Sequence, residues 1–372
     1  MATIKERTIE FASIQLDANI IELDRQEKFN RAGWDKCSKF GILGLPIPLE
    51  YGGSGADIMT TLQALEGLGC GCKDNGLIFA MNAHLWAVEL PILTFGTADQ
   101  KQKYLPKLCQ GEMIAAHAIS EPEAGSDIYS LKTTAVREGD NYILNGRKMF
   151  VTNAPVADLI LVFATVEPLQ GKKGITGFLV EKDLPGLAVK SLSKMGLRTA
   201  MMGEITLNNC QVQIENRLGR EGGGFGIFSH SMEWERGAIL ASAVGTMERL
   251  LKRCLDYAKT RQQFGQPIGK FQLISSKLVE MKMRLETARA LLYQFAELKQ
   301  MGKAAHLEAA MAKLQISEAW VQCCLDAIQI HGGYGYLTEF ELERELRDAL
   351  GSKLYSGTSE IQQQTIAQFM GL

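Results

Sequence analysis

The segment Met232-Glu233-Trp234-Glu235-Arg236-Gly237-Ala238 places two carboxylates and a guanidinium on one helical stretch. Positions 233 and 235 lie roughly 200° apart around a helix, so the two carboxylates face different neighbours. Four and seven residues beyond Glu235 stand Ile239 and Ser242, an apolar to weakly polar face. Such a face raises a carboxylate's pKa by desolvation and makes it a better proton acceptor near neutral pH. Other reactive groups are sparse. The five histidines, His84, His117, His230, His306 and His331, include no pair at metal-ligand spacing, so no metal is expected. Cys70/Cys72 and Cys323/Cys324 also lack zinc-ligand spacing, and free thiols in a reducing cytoplasm are expected. The glycine-rich stretch 219–226 lacks the Gly-Lys-Ser/Thr ending of a phosphate loop and reads as a connection into a helix.

The elements that must position these residues fall into three textures. Residues 1–115 read as helices, with Ile9–Lys28, Trp34–Phe40, Asp57–Gly69 and Gly76–Phe95 showing apolar residues at three- and four-residue intervals. Residues 116–222 change period. Ala115–Ile119, Lys132–Arg137, Asn141–Lys148, Leu159–Thr165, Gly177–Glu181 and Gly203–Val212 are short, β-branched or alternating, and bounded by turn residues. They predict a β-barrel or sandwich. Residues 223–372 return to long helical runs over Gly226–Arg261, Phe271–Lys299, Lys303–His331, Glu339–Leu350 and Ser359–Phe369, a helical bundle. The chain of 372 residues, 46% hydrophobic, can bury a large core, and a net charge of −2 gives no reason to expect nucleic-acid binding. No signal peptide and no run of about 18 apolar residues is expected, hence no membrane span.

The order helices, β-domain, helical bundle resembles the acyl-CoA dehydrogenase flavoprotein family, and four motifs carry the resemblance. They are Ala118–Asp127, Leu144–Asn153, Arg261–Ile268, and Gln329–Tyr336 followed by Arg347-Asp348-Ala349. The fold so implied has an N-terminal α-helical domain, a middle β-domain and a C-terminal four-helix bundle. One motif departs from the pattern. Where the family commonly has Tyr-Glu-Gly-Thr, with the glutamate as catalytic base, this chain has Tyr355-Ser356-Gly357-Thr358. A serine hydroxyl is too weak a base near neutral pH for that work. Some family members draw the base instead from the helix after the β-domain, and Glu235 matches that alternative.

The resemblance implies FAD. His117, Ile119, Ser120, Ser126, Phe150 and Thr152 match the flavin-lining segments. Arg261, Gln263 and Phe264 match residues that hold the pyrophosphate and adenine of a neighbouring subunit's cofactor, a task suited to the planar guanidinium fork. Gln329, Gly332 and Gly333 match the complementary contact, and Thr358 and Glu360 lie near the same cofactor. Arg236 and Ser356 match substrate-side positions, although Arg236 could equally pair with an acidic neighbour. A homo-oligomer follows, at least a dimer and by family habit a tetramer.

The implied chemistry is removal of the α-proton of a thioester while a hydride leaves the adjacent atom for flavin N5. Within the family, Ser-Gly-Thr-Ser after the tyrosine, Trp-Glu-Arg on the base helix, Asn153–Asp158 and Gly67–Phe79 resemble enzymes of natural-product pathways. These oxidise L-prolyl groups held as phosphopantetheine thioesters on a peptidyl carrier protein, to a pyrroline or pyrrole-2-carboxyl thioester. Two other readings are a short- or branched-chain acyl-CoA dehydrogenase with a relocated base, and an inactive flavin-binding scaffold.

Overall fold

The computed structural model describes residues 2–16 and 19–372. The N-terminal region comprises α1 (Ile4–Gln15), α2 (Ile20–Gln26), α3 (Arg31–Phe40), α4 (Ile58–Gly71), α5 (Asn75–His84), α6 (Leu90–Phe95) and α7 (Ala98–Cys109). Local sequence sets several of the starts. Thr3 with Glu6, and Thr97 with Gln100, form capping boxes. The Asp57 and Asp74 carboxylates accept from Thr60 N–H and Leu77 N–H. Each cap satisfies amide groups that the first helical turn leaves without partners. The expected single helix over Ile9–Lys28 is instead split between α1 and α2.

Between α5 and α6 the chain winds through a π-helical turn, Leu85–Glu89. The stretch Asn75–Phe95 is therefore continuous, and it is long and apolar enough to cross a membrane, contrary to the expectation from sequence. Of its most apolar window 89% is buried inside the protein, so that surface is already taken up by the core.

The middle region contains β1 (Ala115–Ala118), β2 (Thr134–Glu138), β3 (Asn141–Thr152), β4 (Leu159–Thr165), β5 (Ile175–Glu181), β6 (Leu187–Ser191), β7 (Met202–Gln213) and β8 (Arg217–Leu218). They form one sheet in the order β6-β7-β3-β2-β4-β5-β8, with β1 parallel to β4. β3 and β5 are three strand spacings apart, about 14 Å in a flat sheet. Yet the Tyr142 ring on β3 lies 5.0 Å from the Phe178 ring on β5. The sheet therefore curls around its own core, as an open barrel. β4 reads Leu-Ile-Leu-Val-Phe-Ala-Thr and is buried along its whole length. Its Ile160, Val162 and Ala164 enter the sheet's interior core, while Leu159, Leu161 and Phe163 join the helical core on the other face. A strand covered on both faces needs an unbroken apolar run.

The C-terminal region comprises α8 (Gly224–Ala238), α9 (Ala241–Thr260), a hairpin of β9 (Gln262–Gln263) and β10 (Gln266–Pro267), then α10 (Gln272–Gln300), α11 (His306–His331), α12 (Leu342–Gly351) and α13 (Ser359–Phe369). The expected single helix over Gly226–Arg261 breaks at Ile239–Leu240. Two close backbone approaches account for the break. On α8, a Cβ at Gly237 would stand 2.2 Å from the Phe295 ring of α10. On α9, the backbone meets α4 so tightly that a Cβ at Gly69 would lie 1.8 Å from Ser242 O, and one at Gly245 would lie 1.9 Å from Glu66 O. The two half-helices follow different partners, and Ser242 is consequently turned onto α4 instead of extending the face of Glu235.

Candidate active site

Glu235 opens the last turn of α8, 8% exposed. The Ser356 hydroxyl donates to its carboxylate. Burial raises the Glu235 pKa, opposed by that hydrogen bond and by the charges of Arg236 and Lys313. A buried carboxylate with one hydroxyl donor and two nearby cations can accept a proton near neutral pH.

Glu235 is held by a turn whose geometry is unusual. Ser356 has φ +55° and Gly357 has φ +91°, two successive left-handed residues. Serine seldom adopts this conformation unaided. The turn is fixed through its carbonyls. Arg236 Nε donates to Ser356 O at 3.1 Å. Gln362 Nε2 donates to Ser356 O at 3.1 Å and to Gly357 O at 2.9 Å. Lys313 Nζ donates to Gly357 O at 2.6 Å. Arg236 makes its hydrogen bond to the turn and, among the described residues, none to an acidic side chain. Thr358 caps α13 by accepting from Ile361 N–H, and Glu360 is exposed on that helix's first turn.

The other carboxylate faces away, as the helical spacing predicts. Glu233 accepts from Ala305 N–H at 2.5 Å and pairs with Lys299 at 3.1 Å, anchoring the turn into α11.

Seven residues before Glu235 on α8 stands Phe228, on the same helical face about 10 Å along the axis. Its ring stacks 6.2 Å from His117 on β1, so this face of α8 leads from the carboxylate to the β-domain. His117 Nε2 is buried without a hydrogen-bond partner, and burial pushes its pKa down to about 4, so the ring is neutral. The strand is anchored at its start. Ala115 N–H donates to His84 Nδ1 at 3.0 Å, and Asn153 Nδ2 donates to Ala115 O at 3.1 Å. After β1 come buried Ile119, half-buried Ser120 and exposed Ser126.

Ser120 O accepts from Met149 N–H at 2.8 Å, tying this loop to β3. Beneath it, fully buried Lys148 donates to Ile119 O at 3.1 Å and to Glu121 at 2.7 Å. Strict alternation along β3 would turn Phe150 inward with Tyr142, Leu144 and Lys148. A register shift between Lys148 and Val151, with Phe150 at φ +59°, turns it out instead. Phe150 is 61% exposed beside half-buried Thr152. An exposed ring, a hydroxyl pair and an unpartnered buried imidazole nitrogen suit the apolar face and polar edge of an isoalloxazine.

Arg261, Gln263 and Phe264 sit at the other end of α9, which spans about 30 Å. Phe264 is 94% exposed. The Arg261 guanidinium lies 5.7 Å from the Tyr334 ring, next to exposed Gln329, Gly332 and Gly333. These two motifs are thus brought together, but at the end of the bundle remote from Glu235. A Cβ at Gly332 or Gly333 would meet nothing within 4 Å, which leaves backbone open to approach.

Sequence reasoning missed Lys313, Gln362 and the Lys148–Glu121 pair. Two of them left a signal: Lys148 is in phase with buried Tyr142 and Leu144, and Lys313 shares the buried face of α11 with Ala309, Ile316 and Trp320.

Comparison with known proteins agrees across the whole chain. Models of the acyl-CoA dehydrogenase N-terminal, middle and C-terminal domains match residues 2–112, 116–210 and 222–371. The crystal structure of the prolyl acyl carrier protein oxidase AnaB is 62% identical, covering 99% of this chain and 98% of that one, at a TM-score of 0.98. PigA with FAD and proline is 41% identical over 99% of this chain and 97% of that one, at a TM-score of 0.97. The L-prolyl-[peptidyl-carrier protein] dehydrogenase of Pseudomonas fluorescens strain Pf-5 is 43% identical over 92% of this chain and 91% of its own length. The chain belongs to the acyl-CoA dehydrogenase family.

Proposed function

We propose that this chain is an FAD-dependent oxidoreductase acting on an L-prolyl group carried as a phosphopantetheine thioester on a peptidyl carrier protein, in natural-product biosynthesis. The observation that carries the reading is the buried Glu235 carboxylate hydrogen-bonded by Ser356, the residue standing where the family commonly places its base. The similarity to AnaB and PigA supports the prolyl substrate.

Glu235 takes the proton from the α-carbon of the thioester. Burial raises its basicity, and the Ser356 hydroxyl holds one carboxylate oxygen so that the other is free for the substrate. Ser356 N–H makes no hydrogen bond among the described residues and is available to polarise the thioester carbonyl. FAD, when bound, supplies the acceptor for the electron pair that leaves with the second hydrogen. Ser120, Thr152 and His117 would hold its polar edge, with Ile119 and Phe150 against its ring. Thr358 and Glu360 would approach it from α13, and Ser126 from the loop after β1.

Because Arg261, Gln263, Phe264, Gln329, Gly332 and Gly333 lie at the far end of α9, they would serve a cofactor seated on another subunit. The working form is then at least a dimer, with a tetramer the family expectation. The test is intact mass of the thioester after incubation with prolyl-loaded carrier protein. Loss of one or two pairs of hydrogens supports the reading. Reaction with short acyl-CoA alone would make this an acyl-CoA dehydrogenase, and no flavin reduction by either would make it a scaffold.

A further inference from the structure

The turn that carries Ser356 is fixed from three directions, and one of the three is a fully buried cation. Lys313 is 0% exposed and comes from α11, the helix whose Glu318 also accepts from Ser359 at 2.7 Å and pairs with Lys353 at 2.8 Å on either side of this turn. Its bond to Gly357 O, at 2.6 Å, is the shortest of those holding the two carbonyls. Gln362 divides one amide nitrogen between both carbonyls, and Arg236 reaches only Ser356 O. Fixing successive carbonyls fixes the peptide planes on both sides of Gly357, and with them its left-handed φ of +91° and the plane to which the Ser356 Cα is joined. The seat of that plane sets where the Ser356 Cα and its side chain lie, which here puts the hydroxyl on Glu235. A lysine buried for packing alone would be a poor choice, because removing its charge from water is costly unless the charge is used.

We infer that Lys313 is a positioning residue for proton transfer: its ammonium, donated to the Gly357 carbonyl, holds the Ser356 hydroxyl on Glu235 and places a positive charge beside that carboxylate. The inference rests on Glu235 being the base. The charged groups facing Lys313 are Arg236 and Glu235 from α8, Glu318 on its own helix and Glu360 from α13. Burial, reinforced by Arg236, brings its pKa down to about 7, opposed by the three carboxylates. Those facing Glu235 are Arg236 and Lys313, and the buried Tyr355 phenol stands beside it as well. Removing the Lys313 charge takes away one of the influences that hold the Glu235 pKa down, and freeing the turn takes away a second, the Ser356 hydrogen bond. Both changes act in the same direction.

The experiment compares FAD-loaded wild type, Lys313→Met and Lys313→Arg, following substrate-driven flavin bleaching with prolyl-loaded carrier protein across pH. In Lys313→Met the acidic limb of the kcat profile should move up by about one pH unit, a rate loss of roughly tenfold on the limb. The plateau at higher pH should be largely recovered, and KM little changed. Lys313→Arg keeps the charge and should leave the limb near its wild-type position. A readout without substrate accompanies it: hydrogen exchange of residues 351–362 should quicken in Lys313→Met and not elsewhere in the bundle. If Lys313→Met loses its flavin or does not fold, Lys313→Gln, which keeps a donor for Gly357 O, replaces it with a smaller limb shift in the same direction, from the lost charge alone. A limb that superimposes on wild type, or a loss uniform at every pH, overturns the inference. Glu235→Gln is run in parallel. Wild-type bleaching by that variant would instead remove the base assignment itself.

Discussion

At the scale of single residues, the decisive feature is the division of labour between Glu235 and Ser356. Glu235→Gln keeps size and the ability to accept from Ser356 but removes basicity. Flavin should still bind, while substrate-driven bleaching falls by roughly 10²–10⁴-fold, about 3–5 kcal/mol of barrier. Stopped-flow absorbance under argon measures it, and a wild-type rate would show that the proton goes elsewhere. Ser356→Ala removes a donor that lowers the Glu235 pKa. The base must be ionised to act, and a raised pKa means it is ionised only at higher pH. The acidic limb of the rate profile should therefore move upward in this variant, with a plateau within about tenfold of wild type. A plateau reduced as far as that of Glu235→Gln would mean the hydroxyl does more than orient the carboxylate. Sequence exposed the pair only partly. The helical spacing of Glu233 and Glu235 and the replaced position 356 were readable from residue types. That the two side chains meet required a turn with positive φ at a serine, which no local preference announces.

At the scale of elements, the order of helices and strands was legible because each region keeps one period for most of its length. The breaks were not legible. Ile239 and Leu240 favour helix, and the kink they carry is imposed by what α8 and α9 pack against. The outward turn of Phe150 likewise comes from a bulge against β7, a property of two strands together. The α4–α9 crossing gives a direct test. A methyl group at Gly69 or Gly245 would lie within 2 Å of a backbone carbonyl oxygen of the facing helix, so the helices must separate. Gly69→Ala should cost about 3 kcal/mol or more, read as a lowered denaturation midpoint. Gly226→Ala, where a Cβ would meet nothing within 4 Å, is the control and should be within about 0.5 kcal/mol of wild type. Equal stability of the two variants would mean the crossing relaxes freely.

At the scale of the whole molecule, two surfaces remain to be matched with partners. Arg261→Ala should lower both retained FAD and the assembled fraction, measured by absorbance and light scattering, because one residue would serve the cofactor and the contact between copies. Full flavin content in the variant would detach Arg261 from that role. If the thioester arrives on an acidic carrier protein, added salt should raise KM for the carrier-bound substrate more than for a pantetheine mimic. The single-chain architecture has a consequence of its own. One apolar core runs without interruption through α4, α9 and the helix-facing side of β4, joining regions that the family models divide in three. Among the described residues this core is one cluster, and the sheet's interior core, joined to it through the two faces of β4, is the second. Calorimetry should then show a single cooperative endotherm, and protease should either spare the chain or digest it completely, without releasing a stable fragment that keeps Glu235 and loses α4.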